Sequence, residues 1–178
     1  MPSLISHAIA GIAIGVALSV RHPNEAIICS SVIASVFPDI DGIAFVLGIP
    51  YNNFFGHRGF FHSIFFAFIL SFLILHIGFH YIELFTKTWL FHYTIFFLLT
   101  LSHSILDAMT EGGMGVAFFS PFSQKRYLLP WRPMIACPLR IRDFFSEWGK
   151  IVLKSELICI WLPSFMLILI SIWLKNTR

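Results

Sequence analysis

Long apolar stretches alternate with short polar ones along most of this chain. The apolar runs occupy 4–20, 26–48, 60–82, 88–107 and 156–174. A helix needs about 20 mostly apolar residues to cross the hydrocarbon core of a bilayer. The pattern therefore predicts an all-α fold: a polytopic integral membrane helical bundle with about five transmembrane segments.

The second apolar segment is interrupted by Pro38, Asp39 and Asp41. Proline removes a backbone donor and breaks a helix, so we expect the helix to stop at Pro38 and the two aspartates to lie in an extended turn. Irregular backbone at membrane depth is tolerated only where it is buried in protein or lines a water-filled cavity. The break therefore indicates a cavity that receives both carboxylates.

The segment 108–155 differs in kind from the rest of the chain. It contains four prolines and scattered aromatic residues, together with seven basic residues: Lys125, Arg126, Arg132, Arg140, Arg142, Lys150 and Lys154. Basic and aromatic residues together favour the headgroup layer of a membrane. We expect an interfacial lid or collar here, followed by a C-terminal transmembrane helix over 156–174, all within a single membrane-embedded domain spanning 1–178.

The composition supports a membrane protein and argues against a nucleic-acid-binding one. Mean hydropathy is +0.82, and charged residues make up 12% of the chain, against about 25% in an average soluble domain. The net charge of +3 is small, and the phenylalanine runs lie apart from the lysines and arginines. We therefore expect the lipid bilayer as a partner and no nucleic acid.

The distribution of basic residues predicts the topology. With five crossings and the N-terminus inside, the inner face collects Arg58 and the seven basic residues of 108–155. The outer face collects only Arg21, Lys87, Lys175 and Arg178. Cytoplasmic loops carry an excess of Lys and Arg. The sequence thus predicts a multi-pass protein whose N-terminus and long polar segment are cytoplasmic.

Histidine and aspartate residues gather at the cytoplasmic ends of four of these segments. They are His7, Asp39, Asp41, His57, His62, His103 and Asp107. At about 1.5 Å of rise per residue, all seven fall within roughly 10 Å in depth of one interface. Ionisable side chains are costly at membrane depth and usually mark a functional site. We therefore expect the seven to converge on one pocket.

The spacing within the clusters favours metal binding, although each cluster has a structural alternative. His103 and Asp107 are four residues apart, so they share one face of a helix. His57 and His62 are five apart and suit a loop wrapped around the site. A hydrogen bond within the helix, a Pro-Asp turn or a helix cap would explain single clusters without a metal. None of these alternatives would explain why all four clusters converge on one pocket.

Four imidazoles and three carboxylates exceed the needs of one ion. A catalytic metal usually takes three protein ligands and leaves a position for water, and harder ions draw more carboxylates. The set fits a divalent ion such as Zn, Mn or Mg, as one ion or as two joined by a bridging aspartate. Arg58 lies between two candidate ligands, which suits a catalytic role in binding phosphate or a developing oxyanion; simple headgroup contact is the alternative.

The motifs also resemble a known family. His-x3-Gly from His7, Pro-Asp-x-Asp from Pro38, His-Arg-Gly-x2-His-Ser from His57 and His-x3-Asp-x2-Thr from His103 occur in the order seen in the YdjM-like family. The resemblance runs from Ser6, where the family has Thr, to about Arg126 and includes Thr110, Gly113 and the Ser-Pro-Phe at 120–122.

That resemblance implies a membrane-bound metal-dependent hydrolase of the bacterial inner (plasma) membrane, with these His and Asp residues as ligands. It covers the core motifs 6–126, whereas the part beyond 127 carries no family signature. The family also bears a LexA-binding label. Gene regulation would account for that label, since no segment here resembles a docking surface for a repressor.

Three functions remain open from the sequence. The preferred hypothesis is a hydrolase that cleaves a phospho- or acyl-ester, such as a lipid, at the cytoplasmic membrane interface. A metal-ion or proton transporter would use His76, His80 and His92 at the outer ends of the helices as further stations. However, the centres of the third and fourth segments offer only Ser71 and Thr100 as polar groups. A metal-stabilised scaffold would fill every ligand position with protein.

Overall fold

The computed structural model describes residues 1–20, 24–138 and 141–177 and is mostly helical. Its helices are α1 (Leu4–Ser19), α2 (Glu25–Val36), α3 (Ile43–Val46), α4 (Ile64–Gly78), α5 (Lys87–Ala108), α6 (Ile141–Phe144), α7 (Glu147–Glu156) and α8 (Leu162–Asn176). Two strands, β1 (Thr110–Glu111) and β2 (Met134–Ile135), pair in parallel. The predicted helical fold is therefore confirmed, with a small parallel ladder that the sequence pattern did not indicate.

Within the described residues, three helical runs are long and apolar enough to cross a membrane: Glu25–Val46, Lys87–Ala108 and Glu147–Asn176. Helices α1 and α4 are apolar but shorter. The five crossings inferred from hydropathy remain a prediction. The orientation in the membrane also remains a prediction. Three of the basic residues counted for it, Arg21, Arg140 and Arg178, lie outside the described part of the chain.

The second apolar segment does not open into an extended turn at Pro38. Helix α2 ends at Val36, and residues Phe37–Gly42 continue as a 3-10 helix that leads directly into α3. Proline is tolerated here because it occupies the first turn, where its missing N–H is not needed. Asp39 and Asp41 therefore project from a tightened helical turn.

The third segment starts later than its hydropathy suggests. Residues Phe60–His62 form one 3-10 turn, and α4 begins only at Ile64. Ser63 caps this helix, because its side chain accepts a hydrogen bond from the Phe66 amide. His62 therefore precedes the helix and is free to point across the bundle.

Helices α1 and α2 approach closely through two glycines on α1. A Cβ atom at Gly11 would lie 2.8 Å from the Ser31 carbonyl oxygen, and one at Gly15 would lie 2.8 Å from the Ile28 Cα. Small residues four apart let membrane helices pack backbone to backbone. This contact holds the middle and second half of α1 against the first half and middle of α2.

The core lies among α2, α4 and α5. Its buried residues are Ala34, Phe66, Leu70, Ile74, Leu75, Phe79, Trp89, Phe96 and Leu99. The buried hydroxyls of Ser71 and Thr100 donate to carbonyls one turn earlier in their own helices. The middle of α4 and α5 is therefore apolar, and the hydroxyls of these two residues are hydrogen-bonded within their own helices.

The segment 108–155 includes the two strands and α6, and most of α7. Helix α7 continues through a π-helical turn, Leu157–Trp161, into α8. The C-terminal helix was predicted to span 156–174. The observed helical run is longer, because it covers 30 residues and starts at Glu147. Trp148, one of the aromatic residues of this segment, is exposed near the beginning of this run.

Candidate metal centre

Four helix ends meet at one end of the bundle. The starts of α1 and α4 and the ends of α2 and α5 bring the predicted His and Asp residues together, and a loop from Ile49 to Gly59 adds two more side chains. The predicted convergence is confirmed. All seven predicted ligands and Arg58 lie in this one cluster: His7, Asp39, Asp41, His57, Arg58, His62, His103 and Asp107.

Two imidazoles face each other at the centre of the cluster. The Nε2 atoms of His62 and His103 are 3.1 Å apart, and both side chains are fully buried. The Nδ1 atom of His103 lies 2.7 Å from the Ser35 carbonyl oxygen. A carbonyl can only accept, so Nδ1 carries the proton and Nε2 presents its lone pair to His62.

His62 is oriented by Asp41 on its other side. Its Nδ1 atom is 2.9 Å from Asp41 Oδ2, although the alignment is too poor for a good hydrogen bond. This proximity also favours a proton on Nδ1 and leaves Nε2 as an acceptor. A carboxylate or carbonyl behind an imidazole is the usual way in which proteins orient a metal-binding histidine.

Two carboxylates complete the surroundings of the facing nitrogens. Asp39 Oδ1 lies 3.5 Å from His103 Nε2 and 3.7 Å from His62 Nε2. Asp107 Oδ2 lies 3.2 Å from His62 Nε2. Both oxygens of Asp39, and Oδ1 of Asp107, are buried without a hydrogen-bond partner in the described part of the chain. Buried acceptors without donors are costly, and a cation among them would remove that cost.

His7 covers the cluster from α1. Its ring stacks on His103 with centroids 3.8 Å apart, and its Nε2 atom lies 3.5 Å from Asp107 Oδ1. Neither ring nitrogen of His7 has a hydrogen-bond partner. Its backbone is fixed by the Ser35 hydroxyl, which donates to the His7 carbonyl at 2.6 Å. His7 is thus held beside the cluster as a further available ligand.

Asp41 connects the cluster to the loop. Its Oδ1 lies 2.7 Å from His57 Nδ1, and its Oδ2 accepts from the Arg58 amide at 3.0 Å. Arg58 has a positive φ of 61°, a conformation that is strained for residues with a side chain. Strained backbone of this kind tends to occur at functional sites. The Asp41 contact helps to hold it.

Arg58 is buried rather than exposed to headgroups. Its side chain is 1% exposed, and Nε donates to Asp107 Oδ2 at 3.0 Å. Burial is the largest single effect and works against the charged form, but the Asp107 carboxylate and the Tyr51 side chain together raise the pKa of Arg58 above its usual value. The guanidinium therefore stays charged and orients Asp107.

The donor set fits a divalent metal ion. With neutral imidazoles, three carboxylates and one guanidinium leave the cluster with an excess of negative charge that a dication would balance. Two overlapping groups have ligand atoms within 4.8 Å of one another: Asp39, His62, His103 and Asp107, and Asp39, Asp41, His57 and His62. Mixed imidazole and carboxylate ligands suit Zn or Mn. These buried clusters could hold one ion or two.

The outer histidines form no comparable group. His76 and His80 are exposed on or just after α4, and His92 lies 2.8 Å from the Thr88 carbonyl through Nδ1. Among the described residues, neither candidate metal group includes any of the three.

Several supporting residues could not be found from the sequence. Ser35 orients both His7 and His103, and Arg126 holds the loop by donating to the carbonyls of His57 at 2.9 Å and Tyr51 at 2.6 Å. Glu156, which lies beyond the motifs at 6–126, is fully buried and accepts from the hydroxyls of Ser3 and Ser6. Serine, arginine and glutamate carry no spacing signal for such contacts.

Comparison with known proteins agrees with the membrane character of the fold. Residues 1–177 match the family model described as YdjM inner membrane protein. The chain is 34% identical over 177 residues to inner membrane protein YbcI of Escherichia coli (strain K12), covering 99% of this chain and 100% of that protein. No solved structure matches the chain.

Proposed function

Because the chain belongs to the YdjM family of inner membrane proteins, we propose that it is a membrane-bound metal-dependent hydrolase. Its substrate is a phospho- or acyl-ester, such as a lipid, that reaches the site at the cytoplasmic membrane interface. The observation that carries this proposal is the pair of Nε2 atoms of His62 and His103, which face each other at 3.1 Å beside the Asp39 and Asp107 carboxylates.

Asp39, His62, His103 and Asp107 would hold the ion, with His7 as a further ligand. When bound, a divalent ion lowers the pKa of a water molecule to make a nucleophile and polarises the ester. The protein contributes orientation: Ser35 and Asp41 fix the two imidazoles, and Arg58 fixes the Asp107 carboxylate. Such supporting contacts keep the ligands in place before the ion arrives.

The position of His57 favours an enzyme over a metal-stabilised scaffold in which protein fills every ligand position. His57 lines a cavity of about 220 Å³ together with Arg58, so a substrate can approach the cluster. Its Nδ1 atom is held by Asp41 at 2.7 Å, which leaves Nε2 to hold or release a proton for the leaving group. A scaffold would need neither a cavity nor a histidine poised in this way.

The apolar middle of the bundle argues against transport. A path for ions or protons needs polar groups through the bilayer, whereas Ser71 and Thr100 bind their own helices there. The cluster also lies at one end of the helices rather than at their midpoint.

The test is an ester-hydrolysis assay with the purified full-length protein in mild detergent, loaded in turn with Zn, Mn and Mg. Phosphate esters and acyl esters are offered both as soluble compounds and as lipids. We expect turnover with at least one metal, lost in His103→Ala and retained in His92→Ala, which changes the same residue type on the same helix. Equal turnover by both variants would assign the hydrolysis to a contaminant and contradict the proposal.

A further inference from the structure

A cavity opens beside the metal cluster. Its lining includes Tyr51, His57, Arg58, Gly112 and Gly113. Its volume is about 220 Å³, below the roughly 300–1,000 Å³ of pockets that enclose whole drug-sized ligands. The cavity therefore admits the reacting end of a substrate rather than a complete lipid.

Two buried donors in this lining have no hydrogen-bond acceptor among the residues that the structure describes. Arg58 uses Nε for Asp107 and Nη1 for the Gly112 carbonyl at 3.3 Å, but its Nη2 makes no hydrogen bond. The Tyr51 hydroxyl is also buried and unpaired. A buried donor without an acceptor is costly. Two such donors in the lining of one cavity indicate that a ligand supplies the acceptors.

Gly113 shows that the two side chains face the same space. A Cβ atom at this position would lie 2.9 Å from Arg58 Nη1 and 3.1 Å from the Tyr51 hydroxyl oxygen. The residue also has a positive φ of 76°, which glycine adopts without strain. Glycine at position 113 therefore lets the guanidinium and the phenol lie close to the same stretch of backbone, where a larger residue would displace them.

Arg126 fixes Tyr51 and adds positive charge. Its guanidinium donates to the Tyr51 carbonyl at 2.6 Å and lies 4.8 Å from the centre of the Tyr51 ring. All four hydrogen bonds found for this guanidinium go to backbone carbonyls, those of Tyr51, Asn53, His57 and Gly115. Its charge is thus not neutralised by a carboxylate at hydrogen-bonding distance in the described chain, and it favours an anionic ligand.

We propose that this cavity binds the phosphoryl group of a phosphate ester, whose oxygens accept hydrogen bonds from Arg58 Nη2 and the Tyr51 hydroxyl. This rests on the proposed hydrolase and narrows its substrate from either ester class to phosphate esters. A phosphoryl group offers several charged oxygens to a guanidinium. An uncharged acyl ester offers only a neutral carbonyl oxygen, which is a weaker acceptor for a guanidinium than a charged phosphoryl oxygen.

Burial raises the pKa of Tyr51, so the hydroxyl keeps its proton near neutral pH and can donate it to an acceptor. The Arg58 amide and carbonyl are both held, by Asp41 Oδ2 and by the Ala117 amide, each at 3.0 Å. The two donors are therefore fixed before the ligand arrives, which lowers the entropy cost of binding.

The experiment is calorimetric titration of the full-length metal-loaded protein in detergent with inorganic phosphate. Tyr51→Phe removes only the unpaired oxygen, so this variant should fold and be at least as thermally stable as the parent. Since a hydrogen bond to a charged group contributes about 1.5–3 kcal/mol, we expect phosphate to bind about tenfold or more weakly. Tyr93→Phe is the matched control, because its hydroxyl binds the Phe68 carbonyl in the helical region, and it should leave the affinity unchanged.

Acetate and two lipids extend the test. Acetate should bind at least tenfold more weakly than phosphate, and equal affinity for the two anions would overturn the proposal. Phosphatidic acid in nanodiscs should compete with phosphate if the ligand is a lipid headgroup, with phosphatidylcholine nanodiscs as the background. Competition by glycerol phosphate alone would support the cavity and assign it to soluble esters.

The outcomes separate this inference from the proposed hydrolase. Unchanged phosphate affinity in Tyr51→Phe would overturn the phosphoryl site even if the protein hydrolysed an acyl ester. Conversely, weakened phosphate binding in that variant would support the site even if no ester were cleaved with any metal, in which case only the hydrolase proposal would fail.

Discussion

Arg58 donates from Nε to Asp107 Oδ2 at 3.0 Å, and both side chains are almost completely buried. This pair joins the loop before α4 to the last turn of α5. The pair also connects Arg58, which is predicted to stabilise charge in the reaction, with Asp107, which is predicted to bind metal. Removing either partner therefore affects folding as well as chemistry.

The first prediction concerns that pair. Asp107→Asn leaves the Arg58 guanidinium buried without its counter-charge, and breaking a buried pair in this way costs about 3–5 kcal/mol. We expect a clear loss of thermal stability in detergent, measured by circular dichroism, in addition to weaker metal binding.

The double variant Asp107→Asn, Arg58→Met provides the control. It removes both charges, so it should recover part of the lost stability while metal binding stays weak. An Asp107→Asn protein as stable as the parent would show that the ion pair contributes nothing to folding.

The second prediction concerns Glu156, which joins α7 to the start of α1. Its carboxylate accepts from the hydroxyls of Ser3 at 2.6 Å and Ser6 at 2.7 Å, and Ser6 also accepts from the Trp161 indole at 2.7 Å. Glu156→Gln converts one acceptor oxygen into a donor and removes the charge, at a cost of about 2–3 kcal/mol.

Thermal unfolding of this variant should be compared with that of Glu147→Gln, which changes a highly exposed side chain on the same helix. Glu147→Gln should be nearly neutral. Because Ser6 precedes His7, Glu156→Gln should also weaken metal binding several-fold. Equal stability of the two variants would exclude a structural role for the Glu156 carboxylate.

The convergence of the site could be predicted from the sequence because it follows from the alternating direction of successive membrane helices. Antiparallel membrane helices return to the same face, so polar residues at successive ends must meet. Local conformation was harder to predict. Pro38 was expected to end the helix in an extended turn, but it lies in the first turn of a 3-10 helix, where proline is tolerated. The third apolar segment begins at residue 60, whereas α4 begins only at Ile64, so His62 precedes the helix.

Contacts distant in sequence could not be predicted at all. Glu156 and Ser3 are 153 residues apart, and no periodicity relates them. The same holds for Arg126 and Tyr51, whose contact depends on how the segment after α5 folds back over the loop. Such residues look like ordinary polar positions until the chain is folded.

The third prediction concerns the packing of α1 on α2. Gly11→Ala places a Cβ atom 2.8 Å from the Ser31 carbonyl oxygen, so the helices must separate, at a cost of about 1–3 kcal/mol. Gly78→Ala is the matched control, because the nearest atom to its Cβ would be 3.8 Å away. Thermal unfolding should distinguish the two, and equal melting temperatures would contradict the close approach.

The fourth prediction concerns orientation in the membrane. A reporter inserted at the exposed Gln124 should be cytoplasmic, since the surrounding segment is rich in basic residues. A reporter fused after Arg178 should lie on the opposite side. The reverse pattern would move the site to the other face of the membrane, although the cluster itself would be unchanged.

The central claim is that the buried His and Asp cluster holds a divalent metal, and elemental analysis of the purified protein tests it most directly. The protein should be prepared in mild detergent without chelating resin, in parallel with His103→Ala and His92→Ala. Loss of a ligand should weaken metal affinity by about 100-fold or more, since even residues that only orient ligands account for 10–100-fold. We predict one or two divalent ions per chain in the parent and in His92→Ala, and far less in His103→Ala. A parent protein that carries no metal and takes up none when Zn, Mn or Mg is added would contradict the account.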